Sequence, residues 1–118
     1  MKFQLGEIRN MKDPLIKLLD KEIPIKSAWK LNKLVKAFDK ELGEIEEFRV
    51  GLVQKLGTSD EETQAVQVPE DKMEQFVVEF NELLMTEIEV EFDGISIDTL
   101  GDIQCSAKEL IAIDRLFV

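Results

Sequence analysis

One helical pattern runs through the whole of residues 25–56, and it determines the architecture of the molecule. The stretch reads IKSAWKLNKLVKAFDKELGEIEEFRVGLVQKL. Its apolar residues recur at alternating steps of three and four, with one step of seven across Arg49, as in the seam of a coiled coil. The seam consists of Ala28, Leu31, Val35, Phe38, Leu42, Ile45, Leu52 and Leu56. The stretch therefore predicts one continuous helix with a buried side.

This predicted helix is longer than a small domain needs. It would extend roughly 50 Å at about 1.5 Å per residue, whereas a domain of this size has a radius of gyration of about 13 Å. Two interpretations of the seam follow: the rest of the chain covers it, or part of it is left for a partner protein or a second copy. Gly43 and Gly51 lie inside the stretch, and they indicate either close approach of another helix or a bend.

A second helix is predicted after a polar loop. Residues 58–68 are polar and acidic, and Pro69 suits the first turn of a helix that continues to about Thr86. Residues 25–86 then form a long helical hairpin, in which the second helix is about half as long as the first.

Short elements are predicted on either side of the hairpin. Apolar and polar residues alternate around the turn signal Asp93-Gly94, which predicts a small antiparallel β-hairpin over about 87–98. Ser106 suits an N-cap and predicts a C-terminal helix over about 106–117. Near the other end, Phe3–Leu5 predicts a strand or extended arm, and residues 12–21 predict a short helix. The fold class is α+β, mostly α, in a single domain over 1–118.

Composition limits the classes of function. The chain has 118 residues, of which 44% are hydrophobic and 34% charged, and no apolar run reaches the roughly 20 residues that span a bilayer. The lone Cys105 excludes an intrachain disulfide and favours a reducing, cytoplasmic location. Histidine, the usual general base and metal ligand, is absent, which argues against an enzyme and predicts no cofactor.

Charge is distributed unevenly between the two halves of the chain. Residues 1–57 contain 12 Lys and Arg against 9 Asp and Glu, whereas residues 58–118 contain 3 against 16. The acidic half would be repelled by nucleic-acid backbones and by anionic lipid. We therefore expect neither nucleic acid nor membrane as a partner.

Two smaller features have alternative interpretations. The carboxylates of Glu87, Glu89, Glu91 and Asp93 fall on one face of a predicted strand, where they would hold a cation, act as an acid–base pair, or form the solvated face of a sheet. The solvated face is favoured, because no calcium-loop pattern accompanies them. We interpret Cys105 as a small buried apolar residue.

The residues most suited to contacting a partner lie on the long helix. Lys26, Lys30, Lys33 and Lys40 fall near one face, with Lys36 off it, and they form either a docking stripe for an acidic partner or a solvated surface. Trp29 is the sole tryptophan, and it would act as an interface anchor or as a part-buried core residue. The candidate partner-binding residues are Trp29, Lys26, Lys30, Lys33, Phe38, Lys40 and Phe48.

Several segments resemble a family of small uncharacterised proteins of tailed phages and prophages of Gram-positive bacteria. They are Lys2-Phe3-Gln4-Leu5-Gly6-Glu7-Ile8, Ile23-Pro24-Ile25-Lys26, Leu31-Leu34-Val35, Phe76 to Leu84, Glu87-Ile88-Glu89-Val90 and Ser106-Ala107-Lys108-Glu109-Leu110. The resemblance implies a phage-encoded accessory protein in the cytoplasm of a bacterial host, and it implies no catalytic residues.

Two functions are therefore expected as alternatives. The first is a non-enzymatic interaction module that binds and modulates a host or phage protein, for example an inhibitor of a host defence system. The second is a structural or assembly factor, such as a tail or head chaperone, that self-associates through the long helix. A metal-dependent enzyme built on the acidic strand is a third and less favoured expectation.

Overall fold

The long helix forms without interruption, as the sequence predicts. The computed structural model describes residues 1–59 and 66–118, so the acidic residues 60–62 of the expected loop lie outside the described residues. The helices are α1 (Leu5–Leu19), α2 (Ile25–Leu56), α3 (Glu70–Leu84) and α4 (Ala107–Ile113). The strands are β1 (Lys2–Gln4), β2 (Thr58–Ser59), β3 (Val66–Gln67) and β4 (Glu87–Glu89), and short 3-10 turns cover Ile97–Leu100 and Asp114–Leu116.

The first helix begins earlier than predicted and covers the first half of α2. It starts at Leu5 rather than near residue 12, because the Gln4 N–H donates to the Glu7 carboxylate at 3.0 Å and satisfies the helix N-terminus. Pro14 consequently lies inside the helix, where it removes one backbone hydrogen bond. The five buried residues of α1 offset that loss; they are Leu5, Ile8, Met11, Leu15 and Leu18.

The seam of α2 is covered by its own chain. Leu31, Leu34 and Phe38 join the main core, and Phe38 meets the Phe3 ring edge to face at 5.3 Å between centroids. Every seam residue is buried or half-buried, so the interpretation that part of the seam remains for a partner is wrong. Its first part is covered by β1, α1 and the segment after residue 87, all of which contribute to the same core, whereas its last part lies beside α3 and β3.

The fold class is confirmed, but the β-hairpin lies elsewhere. β2 pairs with β3 in the connection between α2 and α3, whereas β4 pairs antiparallel with β1, with Phe3 opposite Ile88. The predicted hairpin over 87–98 is therefore wrong. Ile95 instead donates its N–H to Leu116 and accepts from Val118, at 2.9 and 3.0 Å.

Burial explains this change of partner. Val90, Phe92 and Ile95 are all buried, so the segment enters the core on both sides of the expected turn. Gly94 does adopt the left-handed conformation, with φ of 92°, but it turns the chain toward the C-terminal segment. Contacts with β1 and with the C-terminal segment, both distant in the chain, thus replace the local hairpin.

The helical hairpin extends as an arm beyond this core. The molecule measures 55 × 28 × 23 Å, and its radius of gyration of 17.9 Å exceeds the roughly 13 Å of a compact domain of this length. Leu52 and Leu56 are buried apart from the main core, and α3 contains no fully buried residue. Lys55 of α2 and Glu79 of α3 approach to 3.8 Å across the arm.

The C-terminal helix has the predicted cap. The Ser106 hydroxyl accepts the Glu109 N–H at 3.1 Å, and α4 ends at Ile113, after which a 3-10 turn continues to Leu116. Cys105 precedes this cap and is exposed, so its interpretation as a buried residue is wrong. It lies in a connecting segment in which Gly101, Asp102 and Gln104 are exposed as well.

Candidate protein-binding surface

The side of α2 that points away from the core is exposed along the whole helix. Starting at Trp29, steps of four and three lead along this side, and 3.6 residues per turn keep these positions within one face. We define the outward face as Trp29, Lys33, Lys36, Lys40, Gly43, Glu47, Val50 and Gln54, with Ile25, Lys26, Glu44 and Gly51 at its margins; each of these residues is exposed. This face lies opposite the buried seam, so it is exposed because α1, α3 and the core pack on the other side of α2.

Two large apolar side chains stand at the beginning of the outward face. Ile25 is 84% exposed and Trp29 is 62% exposed, one helical turn apart. Trp29 separates two shallow depressions, of about 530 Å³ toward Lys26 and Lys30 and about 360 Å³ toward Leu19 and Ala28. A solvent-exposed tryptophan between two depressions is typical of an interface anchor.

Lysines surround this apolar pair, but in different environments. The Lys33 ammonium lies 4.1 Å from the centre of the Trp29 ring, a cation–π contact that holds the indole against the helix. Lys30 instead donates to the Gly94 carbonyl at 2.7 Å and lies over the Phe92 ring, so its ammonium group makes contacts within the fold. Lys36, predicted to lie off the face of the other four lysines, lies about 20° from Trp29 around the helix.

The other predicted residues divide between the two sides of α2. Lys26 and Lys40 are exposed, whereas Phe38 is fully buried. The prediction that Phe38 contacts a partner is therefore wrong: as a seam residue it packs on Phe3. Phe48 is 48% exposed, but it lies about 28 Å along the helix from Trp29 and about 100° around it.

The charge on the outward face reverses sign along the helix. Lys33, Lys36 and Lys40 give way to Glu44 and Glu47. Burial, and then repulsion from Glu44, raise the pKa of Glu41 beside this face above its ordinary value. Sequence reasoning missed Ile25, Glu44 and Glu47; a helical wheel centred on Trp29 instead of on the seam would have found them.

Other candidate chemistry has less support. Within residues 1–59 and 66–118, no group of three or more carboxylate or thiol side chains is arranged to hold a metal ion. Glu87 and Glu89 are exposed on β4, as the solvated-face interpretation expects. Among the described helices, none combines the length and apolarity needed to cross a membrane.

The chain was compared with protein-family models, with curated proteins and with solved structures, and none of the three comparisons finds a match.

Proposed function

We propose that this protein is a non-catalytic interaction module that binds an acidic protein surface through the beginning of the outward face of α2. The observation that carries the proposal is the exposure of Ile25 and Trp29 side by side on a rigid helix. Full burial of a large apolar side chain stabilises a complex by about 1.5–3 kcal/mol, and tryptophan is among the commonest binding hot spots. A rigid helix also reduces the entropy that such an anchor loses on binding.

The chemistry of the partner follows from the charges around this pair. The ammonium groups of Lys26, Lys33 and Lys36 border the apolar contact, and each of them is exposed. A partner that offers carboxylates around an apolar depression would satisfy both properties, and opposite charges would orient the encounter. Lysines at the rim contribute more to the association rate than to the affinity.

The biological setting is part of the same proposal. The segments that resemble phage and prophage proteins support a phage-encoded protein that modulates a host or phage protein in the bacterial cytoplasm, for instance by inhibiting a defence system. The second candidate function is an assembly factor that self-associates. The reversal of charge along α2 favours it, because one copy offers both signs that a second copy needs.

The test uses Trp29 as both anchor and reporter. It is the only tryptophan and the chain has no tyrosine, so its fluorescence reports one site. The tagged full chain is used to capture proteins from a bacterial lysate, and each captured protein is purified and titrated back at low salt. We expect an acidic protein that shifts the Trp29 emission to shorter wavelength once its own emission is subtracted, whose capture is lost with Trp29→Ala, and whose association is slower and weaker with Lys26→Glu/Lys33→Glu.

A matched control separates binding at this site from nonspecific binding to exposed apolar side chains. Ile111 is 71% exposed on α4, and Ile111→Ala should leave the capture unchanged. If the Trp29→Ala variant and the double lysine variant retain the same captured proteins at the same affinity, the proposed surface is not the binding site.

A further inference from the structure

The middle of the outward face has charges that form no ion pair with any described residue of the same chain. Lys33, Lys36 and Lys40 precede Glu44 and Glu47, and among the described residues none of these five side chains takes part in an ion pair within 4.0 Å. A helix that places Lys before Glu at this spacing gains little from pairing within itself. Among the described residues of one copy, these five charges therefore have no ion-pair partner of opposite sign.

We propose that a second copy of this chain occupies the outward face, with the two α2 helices packed antiparallel about a twofold axis at Lys40. In this arrangement Lys33 faces Glu47 of the second copy, and Lys36 faces Glu44 of the second copy. The twofold axis repeats both pairs, which gives four ion pairs between opposite charges. The inference rests on the proposal that the outward face binds protein, and it names the partner.

The register also matches the largest side chain with the smallest. With Lys40 at the axis, Trp29 of one copy lies over Gly51 of the other, because both residues are eleven positions from Lys40. Beyond the nearby part of its own helix, a Cβ added at Gly51 or at Gly43 would meet no described atom within 4 Å. No described residue of one copy therefore fills the space beside these glycines, although each costs its helix about 1 kcal/mol relative to alanine. It would accommodate the indole ring of a second copy.

The length and the spacing of the face suit the same register. Residue 25 pairs with residue 55, so the two helices overlap along almost the whole of α2 (Ile25–Leu56). Any face of an α-helix repeats at steps of three and four, so the outward face can lie along a second helix at a small crossing angle of about 20°. A parallel pair would instead place lysine against lysine and glutamate against glutamate along the whole face, which is unfavourable.

Reversal of the charges tests the ion pairs. Lys33→Glu/Lys36→Glu and Glu44→Lys/Glu47→Lys should each weaken self-association at low salt by about tenfold or more. An equimolar mixture of the two variants should form a 1:1 heterodimer, because all four facing pairs at positions 33, 36, 44 and 47 are then again of opposite charge, while the Lys40 pair at the axis is unchanged. Sedimentation equilibrium measures all three samples. Lys72→Glu/Lys108→Glu changes the net charge as much as Lys33→Glu/Lys36→Glu does, at exposed sites outside α2, and should leave the dimer intact.

Cysteine cross-linking tests the direction and the register. In a Cys105→Ser background, Lys40→Cys should form a disulfide-linked dimer under mild oxidation, because the two copies of residue 40 meet at the axis. Gln54→Cys, on the same face, should remain monomeric, because it would face residue 26. Cross-linking of both variants would indicate a parallel pair and overturn the proposal, and so would cross-linking of neither.

The outcomes separate this inference from the proposed function. A wild-type chain that sediments as a monomer at all concentrations tested, yet binds an acidic protein through Trp29, would overturn the pairing and leave the proposed function standing. A dimer that loses association in both charge variants, regains it in their mixture and shields Trp29 from quencher confirms the pairing. If that dimer captures no other protein, a second copy is the partner.

Discussion

Alanine at the two exposed glycines of α2 should stabilise the protein. Gly43 and Gly51 have helical backbones on the outward face, and beyond the nearby part of the helix a Cβ at either position would meet no described atom within 4 Å. Because the added methyl group finds open space, only the backbone contribution remains, and it favours alanine by about 0.8–1.0 kcal/mol in a helix interior. The two sites lie eight residues apart, about 12 Å along the helix, so their effects should add.

The double variant Gly43→Ala/Gly51→Ala should therefore gain about 2 kcal/mol in the free energy of unfolding. For a chain of 118 residues, 1 kcal/mol corresponds to about 4 °C in Tm, so the expected increase is about 8 °C. Urea unfolding followed by far-UV circular dichroism, at micromolar protein and about 0.5 M NaCl, measures the fold without a contribution from self-association.

Gly94→Ala provides the control of opposite sign. Its φ of 92° is strained for alanine, and a Cβ there would lie 2.5 Å from a side-chain carbon of Val118. We expect a loss of about 1–3 kcal/mol. If Gly43→Ala or Gly51→Ala also destabilises the protein under these conditions, then the chain itself uses the space at that glycine, and the argument for a second copy loses its support.

Three further predictions concern the core, one carboxyl group and one helix cap. Phe38→Ala should destabilise the protein by about 3–5 kcal/mol, whereas Phe48→Ala, the same change at a half-exposed site of the same helix, should cost clearly less; equal losses in urea unfolding would contradict the burial of Phe38. Burial and then repulsion from Glu44 raise the folded-state pKa of Glu41, so its ionisation destabilises the fold once the pH exceeds that pKa. Glu41→Gln should thus gain about 0.3 kcal/mol at neutral pH, a gain that disappears as the pH falls below the carboxyl range; a constant difference from acid to neutral pH would refute this. Ser106→Ala should cost about 0.5–2 kcal/mol because the N-cap hydroxyl is lost, and Ser106→Asp, which keeps an acceptor, should retain most of the stability in thermal unfolding.

The elements that sequence periodicity specified were those whose partners lie nearby in the chain. The seam of α2 and the first turn at Pro69 predicted two helices of correct extent, because helix formation depends on residues three and four apart. The Ser106 cap was predicted for the same reason. Such local signals determine where an element lies, but they do not determine what covers it.

The errors concern contacts between distant parts of the chain. Asp93-Gly94 predicted a local hairpin. Instead, β4 pairs with β1, and Ile95 forms backbone hydrogen bonds with the C-terminal segment. The burial of Phe92 and Ile95 outweighed the turn signal. Phe38, predicted both in the seam and as a partner-binding residue, lies in the core for a related reason. Which side of α2 is covered depends on α1, whose start at Leu5 the pattern did not show.

The pairing of β1 with β4 has a consequence for folding during synthesis. The first strand finds its partner only in residues 87–89, and the Arg115 guanidinium bonds the Glu7 carboxylate and the Lys2 carbonyl. At about 5–20 residues per second, several seconds pass on the ribosome between the emergence of β1 and that of its partner. Until then, the chain holds α1 and α2 with an unfinished apolar surface. Closing the core is thus a late, long-range step that depends on the last third of the chain.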